Sequence, residues 1–136
     1  MKGRSLILAL NETRKTLLAS RLLRAQGPAS HTARLAANIR PGDGIWVEDC
    51  NRVDTDGIRV PLDLLFLDSE HRVVATVTDL RPGVSSPEVQ EATGVLELAA
   101  GTIRQSQTEK GDSVVLEPIV PIDGRNVAGA ARSSRS

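Results

Sequence analysis

The run Ile58-Arg-Val-Pro-Leu-Asp-Leu-Leu-Phe-Leu-Asp68 decides how the rest of the chain is read. Val60, Leu62, Leu64 and Phe66 fall on one side at the period of two that marks a strand. Pro61 lacks the ladder donor, so this strand is either an edge or begins at about Leu62. Asp68-Ser-Glu-His71 reads as a hairpin turn into a second strand, Arg72 to Leu80, where Val73, Ala75 and Val77 alternate with Val74, Thr76 and Thr78. Upstream, from Gly44, Ile45 and Val47 alternate with Trp46 and Glu48. Downstream come a loop from Arg81 to Pro87, a strand from Gly94 to Ala99, a helical turn from Thr102 to Thr108 and a last strand from Ser113 to Ile119. Short strands at hairpin spacings with little helix predict a mainly β, β-rich α+β fold, a compact antiparallel barrel or sandwich with one short helix.

The N-terminal third is harder to read. Arg4 to Leu10 has strand composition, and Asn11 to Lys15 supplies turn residues. In Thr16 to Gln26, Leu18, Leu22 and Ala25 share a helical face, whereas Leu17, Ala19, Leu23 and Ala25 give an imperfect strand alternation; periodicity alone leans to helix. Gly27-Pro28 ends that element, and Ser30 is placed to cap a short helix within 30–39 before Pro41-Gly42 stops it. A β body over 44–119 follows. One domain over 1–122 is expected, and 123–136, rich in Gly, Ala, Ser and Arg, is expected to be a disordered basic tail.

With 136 residues and only two aromatics, Trp46 and Phe66, the core must be aliphatic. The formal net charge of zero conceals an asymmetry: +7 over residues 1–40, −10 over 41–123 and +3 over 124–136. Lys and Arg are interleaved with Leu in the first segment, and aromatics to stack on bases are lacking, so pairing with the acidic body is preferred to nucleic-acid binding. The apolar run Ser5 to Leu10 is shorter than the roughly 7–15 residues of a signal-peptide core, and no stretch approaches the roughly 18–20 needed to span a bilayer. The single cysteine, Cys50, cannot form an internal disulfide. A cytoplasmic monomer without membrane span or cofactor is the expectation.

The densest polar stretch runs from Glu48 to Gly57 and continues to Asp63 and Asp68. Asp54, Asp56, Gly57 and Asp63 imitate a calcium loop, but Arg52 stands where its first acid belongs, the last position is Asp rather than Glu, and the flanks read as strands. Asp54, Asp56 and Asp63 are thus a weak metal set; the bland reading is an Asp/Gly turn bonding its own backbone. The same acids are the candidates for a paired-carboxylate acid and base. A Cys50 nucleophile would need His31 or His71 as its base, against the alternative of a partly buried free thiol. Two histidines and one cysteine fall short of a zinc set, and Gly42-Asp-Gly44 lacks the lysine of a phosphate loop.

Gly42-Asp-Gly-Ile-Trp-Val-Glu-Asp-Cys50, Val53-Asp-Thr55, Gly57-Ile-Arg-Val-Pro-Leu-Asp63, Leu65-Phe-Leu-Asp68 and Arg72-Val-Val74 occur in one order, followed by Val95-Leu-Glu-Leu98, Ala100-Gly-Thr102 and Lys110-Gly-Asp112. Together, over about Leu17 to Leu116, they resemble the domain of unknown function 192 family of small bacterial proteins. The resemblance implies a compact, mainly β domain with one short helix. It also replaces the helical lean at Thr16 to Gln26 with a strand, making 1–26 an N-terminal β-hairpin. Departures fall in the polar loop: Asp49 stands at the family's proline, Asp54 at its histidine, Asp56 at an aromatic and Ile58 at a methionine. Cys50, Thr55 and Asp63 survive.

The resemblance implies no established reaction. The leading expectation is a bacterial, non-enzymatic binding or accessory protein presenting loop 49–57, with candidate functional residues Cys50, Asn51, Asp54, Thr55 and Asp63. Because many relatives are secreted or lipid-anchored, with some in envelope or pilus contexts, an envelope-assembly protein partner is implied. The alternative is an enzyme, or a metal- or ligand-binding domain, using Cys50, Thr55 and Asp63. Convergence of these three on a concave pocket favours the alternative; an Asp63 that caps backbone amides and a Cys50 enclosed by aliphatic side chains favour the first.

Overall fold

The computed structural model describes residues 6–25 and 36–119. The described residues form seven strands: β1 (Leu6–Asn11), β2 (Thr16–Ala25), β3 (Asp43–Glu48), β4 (Leu62–Leu67), β5 (Val73–Leu80), β6 (Gly94–Ala99) and β7 (Val114–Ile119). A short helix, α1 (Thr102–Ser106), sits between β6 and β7. The mainly β fold is the one expected. The strands form one sheet in the order β5, β4, β6, β3, β2, β1, β7, antiparallel throughout except for the β2–β3 pair, so the sheet is mixed.

The segment 16–25 is a strand paired with β1, as the resemblance implied and periodicity did not. Leu18 and Leu22 are buried on one side while Leu17 and Leu23 stay half exposed. A strand exposed on one face with register irregularities against its neighbour leaves a period that can pass for helix. β4 begins at Leu62, directly after Pro61, which keeps the proline off the ladder. The expected helix within 30–39 falls largely outside the described residues, which take up the chain again at Ala36, helical and followed by a turn; the expected tail, 123–136, lies outside them entirely.

The sheet curls until its two edges meet at one corner. An isolated bridge pairs Arg72 with Ser113, supported by Val73 N–H donating to Asp112 C=O (2.8 Å) and Val114 N–H donating to His71 C=O (2.9 Å). Closure is partial, giving an open barrel-like fold. Its interior is filled from every strand and from α1: Ala9, Leu22, Trp46, Leu65, Leu67, Val73, Leu96, Leu98, Ile103 and Val114 among others. Trp46 lies over Gly94, where an added Cβ would come within 2.3 Å of the indole.

A second core lies on the outer side. β3 and β4 both run antiparallel to β6 and flank it, so they are parallel to each other, and the chain from 49 to 61 must cross one face of the sheet to join them. β5 and β6 flank β4 in the same way, so 81–93 is a second crossover. Both cross the outer face. Cys50, Val53, Ile58 and Val60 from the first and Val89 and Ala92 from the second pack with Ile45, Leu62, Leu64, Phe66 and Val95 of the strands. β4 and β6 are therefore buried on both faces, and every residue in them is buried.

Three of the N-terminal cations pair with the acidic body. Arg14 meets Asp112 and Glu109 (both 3.0 Å), Arg21 meets Asp43 (2.7 Å) and Arg24 meets Glu48 (3.5 Å). At the first of these, the Asn11 amide donates to Asp112 (3.0 Å) and to the Thr108 hydroxyl (2.9 Å), tying β1 to the turn before β7. Burial pushes the Asp112 carboxyl up, but the Asn11 amide, the Glu109 N–H and Arg14 together hold it below the ordinary aspartate value.

Candidate functional site

Asp63 is the second residue of β4, and its side chain points to the barrel interior, the side of Leu65, Leu67 and Leu98. Oδ1 accepts from the Asp79 N–H (2.9 Å); Oδ2 accepts from the Gly101 and Ile103 N–H groups (3.0 and 2.9 Å). Asp79 sits at positive φ (55°), beside a register shift between β4 and β5, and Gly101 has φ 97°. Asp63 therefore pins an irregular backbone at two places, which explains why Pro-Leu-Asp and Ala-Gly-Thr occur together: the carboxylate of one satisfies the turn of the other.

Thr55 is buried and also spent on backbone. Its Oγ1 lies 2.7 Å from the Val84 carbonyl, to which it donates, and 3.1 Å from that of Arg81. Further bonds fasten the two crossovers to one another: Ser86 N–H to Val53 C=O (2.8 Å), Val53 N–H to the Ser86 hydroxyl (2.9 Å) and Val89 N–H to Asn51 C=O (2.9 Å). The Ser85 hydroxyl donates to Asp54 (2.5 Å), which also faces Arg52 (3.4 Å). Asp49, Arg52, Asp54, Asp56 and Gly57 are exposed along this braced loop.

Cys50, Thr55 and Asp63 do not meet in one pocket. Asp63 is on the inner side of the sheet, while Cys50 and Thr55 belong to the crossover outside it. The Cys50 thiol is half-buried against the outer aliphatic cluster and donates to the Arg52 carbonyl (3.1 Å). Among the described residues no three of His, Cys, Asp and Glu are grouped to hold a metal ion. Asp54 and Asp56 are exposed, apart from the buried Asp63. His71 packs edge-on against Trp46, with ring centroids 5.2 Å apart, and His31 lies outside the described residues.

The residue that sequence reasoning missed is Glu97, at the centre of β6. It shares the outward face with Val95 and Ala99, stands opposite Ile45 of β3 and Leu64 of β4, and is 1% exposed. Its Oε1 has no hydrogen-bond partner. Desolvation pushes the carboxyl up from 4.5 to about 8, so it is mostly protonated at neutral pH. Glu97 also bears on Cys50, whose thiol is pushed up chiefly by burial and further by the charge Glu97 would carry. A signal was available: in Gly94-Val-Leu-Glu-Leu-Ala-Ala100 the acid stands inside an apolar run long enough for a strand buried on both faces.

Two solved structures share the fold. One is a protein of unknown function from Novosphingobium aromaticivorans DSM 12444, 18% identical with TM-score 0.66, covering 81% of this chain and 83% of the other. The second, from Sinorhizobium meliloti 1021, is described as a candidate transcription regulator; it is 19% identical with TM-score 0.60, covering 84% of this chain and 92% of its own. At these identities the likeness is one of fold alone. No curated protein matches the chain. No helix among the described residues is long and apolar enough to cross a membrane. Residues 36–116, from the last turn before β3 to β7, match the family described as DUF192, uncharacterized ACR, and the chain belongs to that family.

Proposed function

We propose that this chain is a non-enzymatic binding module that presents loop 49–57 to a protein partner. The observation that carries the reading is the use made of Thr55 and Asp63: both side chains are occupied by backbone groups, one fastening the loop to the neighbouring crossover and the other fixing the sheet edge and α1. A loop braced in this way loses little freedom when a partner docks, which favours affinity. It offers Asp49, Asp54 and Asp56 outward, with Arg52 beside them. A thiol raised by burial supplies less thiolate, which supports binding over nucleophilic chemistry at Cys50.

The test compares the wild-type chain with a variant carrying Asp49→Asn and Asp56→Asn. Both residues are exposed, so stability should change by no more than about 0.5 kcal/mol. In affinity capture from lysate of the source cells, a protein retained by the wild type is expected to be lost from the variant at an unchanged urea midpoint. Equal capture by both chains, or none by either, contradicts the reading.

A further inference from the structure

Glu97 is the most costly polar group described. A carboxyl oxygen buried without a partner forgoes hydrogen bonding that water would supply, and an ionised carboxylate in the same place would forgo far more. The surroundings offer no compensation. Ile45 of β3 and Leu64 of β4 stand opposite it in the ladders, Cys50 of the crossover 49–61 is near enough to feel its charge, and the apolar cluster on this face of the sheet is completed by Val53 and Ile58 from the same crossover, Val89 and Ala92 from 81–93, and Ala36 and Ile39 from the turn before β3. Cys50 is the one titratable side chain among them. Arg52, Asp54, Asp56 and Arg59 on the first crossover, Arg81, Glu88 and Glu91 on the second, and Arg40 before β3 are exposed to solvent, and Asp43 and Glu48 at the ends of β3 are partly so.

The strand that carries Glu97, β6, is held by continuous ladders to β3 and β4, whereas the layer above it is two irregular crossovers held by a handful of bonds. If the carboxyl ionises, the strand cannot move to hydrate it, but a crossover can. We propose that Glu97 is a proton-controlled latch on loop 49–57: with its proton in place the crossover closes on the sheet, and loss of the proton lifts the crossover and alters how the loop is presented. This rests on the reading of that loop as the binding surface and adds its regulation. The raised carboxyl value is the thermodynamic counterpart, because a closed state that holds the proton more tightly than an open one must open more easily as pH rises.

Amide hydrogen exchange on the full chain tests this without any partner. The Val53, Ile58, Ser86 and Val89 amides, all bonded within or between the crossovers, report local opening, and β6 amides report global unfolding. The crossover amides are expected to be less protected than β6. Their protection is expected to fall by about tenfold per pH unit between pH 5.5 and 7.5, after correction for intrinsic exchange, and to level off above about 8. In Glu97→Gln the dependence should vanish. Crossover amides whose protection stays constant while that of β6 falls would overturn the latch, since ionisation would then require global unfolding. An equal fall in Glu97→Gln would overturn it too. Within the wild type the contrast between crossovers and β6 stands even if the variant fails to fold. Partner capture at pH 5.5 separates the two ideas: loss of capture there speaks against the binding surface, and loss of the exchange profile against the latch.

Discussion

Glu97→Gln is expected to stabilise the protein at pH 7 by about 3 kcal/mol, a rise of roughly 10 °C in melting temperature for a chain of this size. The sign follows from the raised carboxyl value. Below about 4.5 the group is protonated in both the folded and the unfolded chain, and its contribution is fully present. Between 4.5 and about 8 the unfolded chain releases a proton that the folded chain keeps, so stability declines by about 1.4 kcal/mol per pH unit until the folded group itself ionises. Glutamine resembles the protonated carboxyl and does not titrate. The gain should therefore be large at pH 7, shrink steadily on acidification and disappear near pH 4.5. Urea denaturation at a series of pH values measures it; a gain that does not change with pH would assign the effect to packing.

Asp63→Ala is expected to cost about 3–5 kcal/mol, because three backbone N–H groups lose their acceptor at once and two of them belong to residues at positive φ, Asp79 and Gly101. Asp63→Asn should recover part of the loss, since the amide keeps one acceptor oxygen for the Gly101 and Ile103 pair but turns its NH2 toward the Asp79 N–H. A denaturation midpoint that moves by the equivalent of less than about 1 kcal/mol in Asp63→Ala would mean that the turn and the bulge hold themselves. The contrast with Glu97 is instructive. Two buried carboxyls lie on adjacent central strands, one with three donors and one with an oxygen that has none, and opposite stability effects follow.

Much of this was legible in the residues. The alternation from Leu62 to Phe66, the turn at Asp68 and the short helix after Ala-Gly-Thr all follow from local pattern and turn chemistry. The N-terminal hairpin needed the family resemblance, because β2 buries Leu18 and Leu22 while leaving Leu17 and Leu23 half exposed, and register shifts against β1 blur the period of two. The partners of Asp63 were not legible. Asp79 lies 16 residues away and Ile103 lies 40, and only the sheet order brings them to one carboxylate. Glu97 was overlooked for a different reason: reading strands as half-buried places an acid on the solvent side, whereas the crossovers cover the outer face of β4 and β6. Once 49–61 and 81–93 are seen to run over that face, any acid at position 97 has to be buried.

The central claim is that Glu97, with one carboxyl oxygen buried and unpartnered, stays protonated on the outer face of the sheet at neutral pH. Titration of the Glu97 side-chain carboxyl carbon by NMR tests this most directly. The account predicts a midpoint near 8 in the folded protein, and a midpoint near the ordinary 4.5 would contradict it.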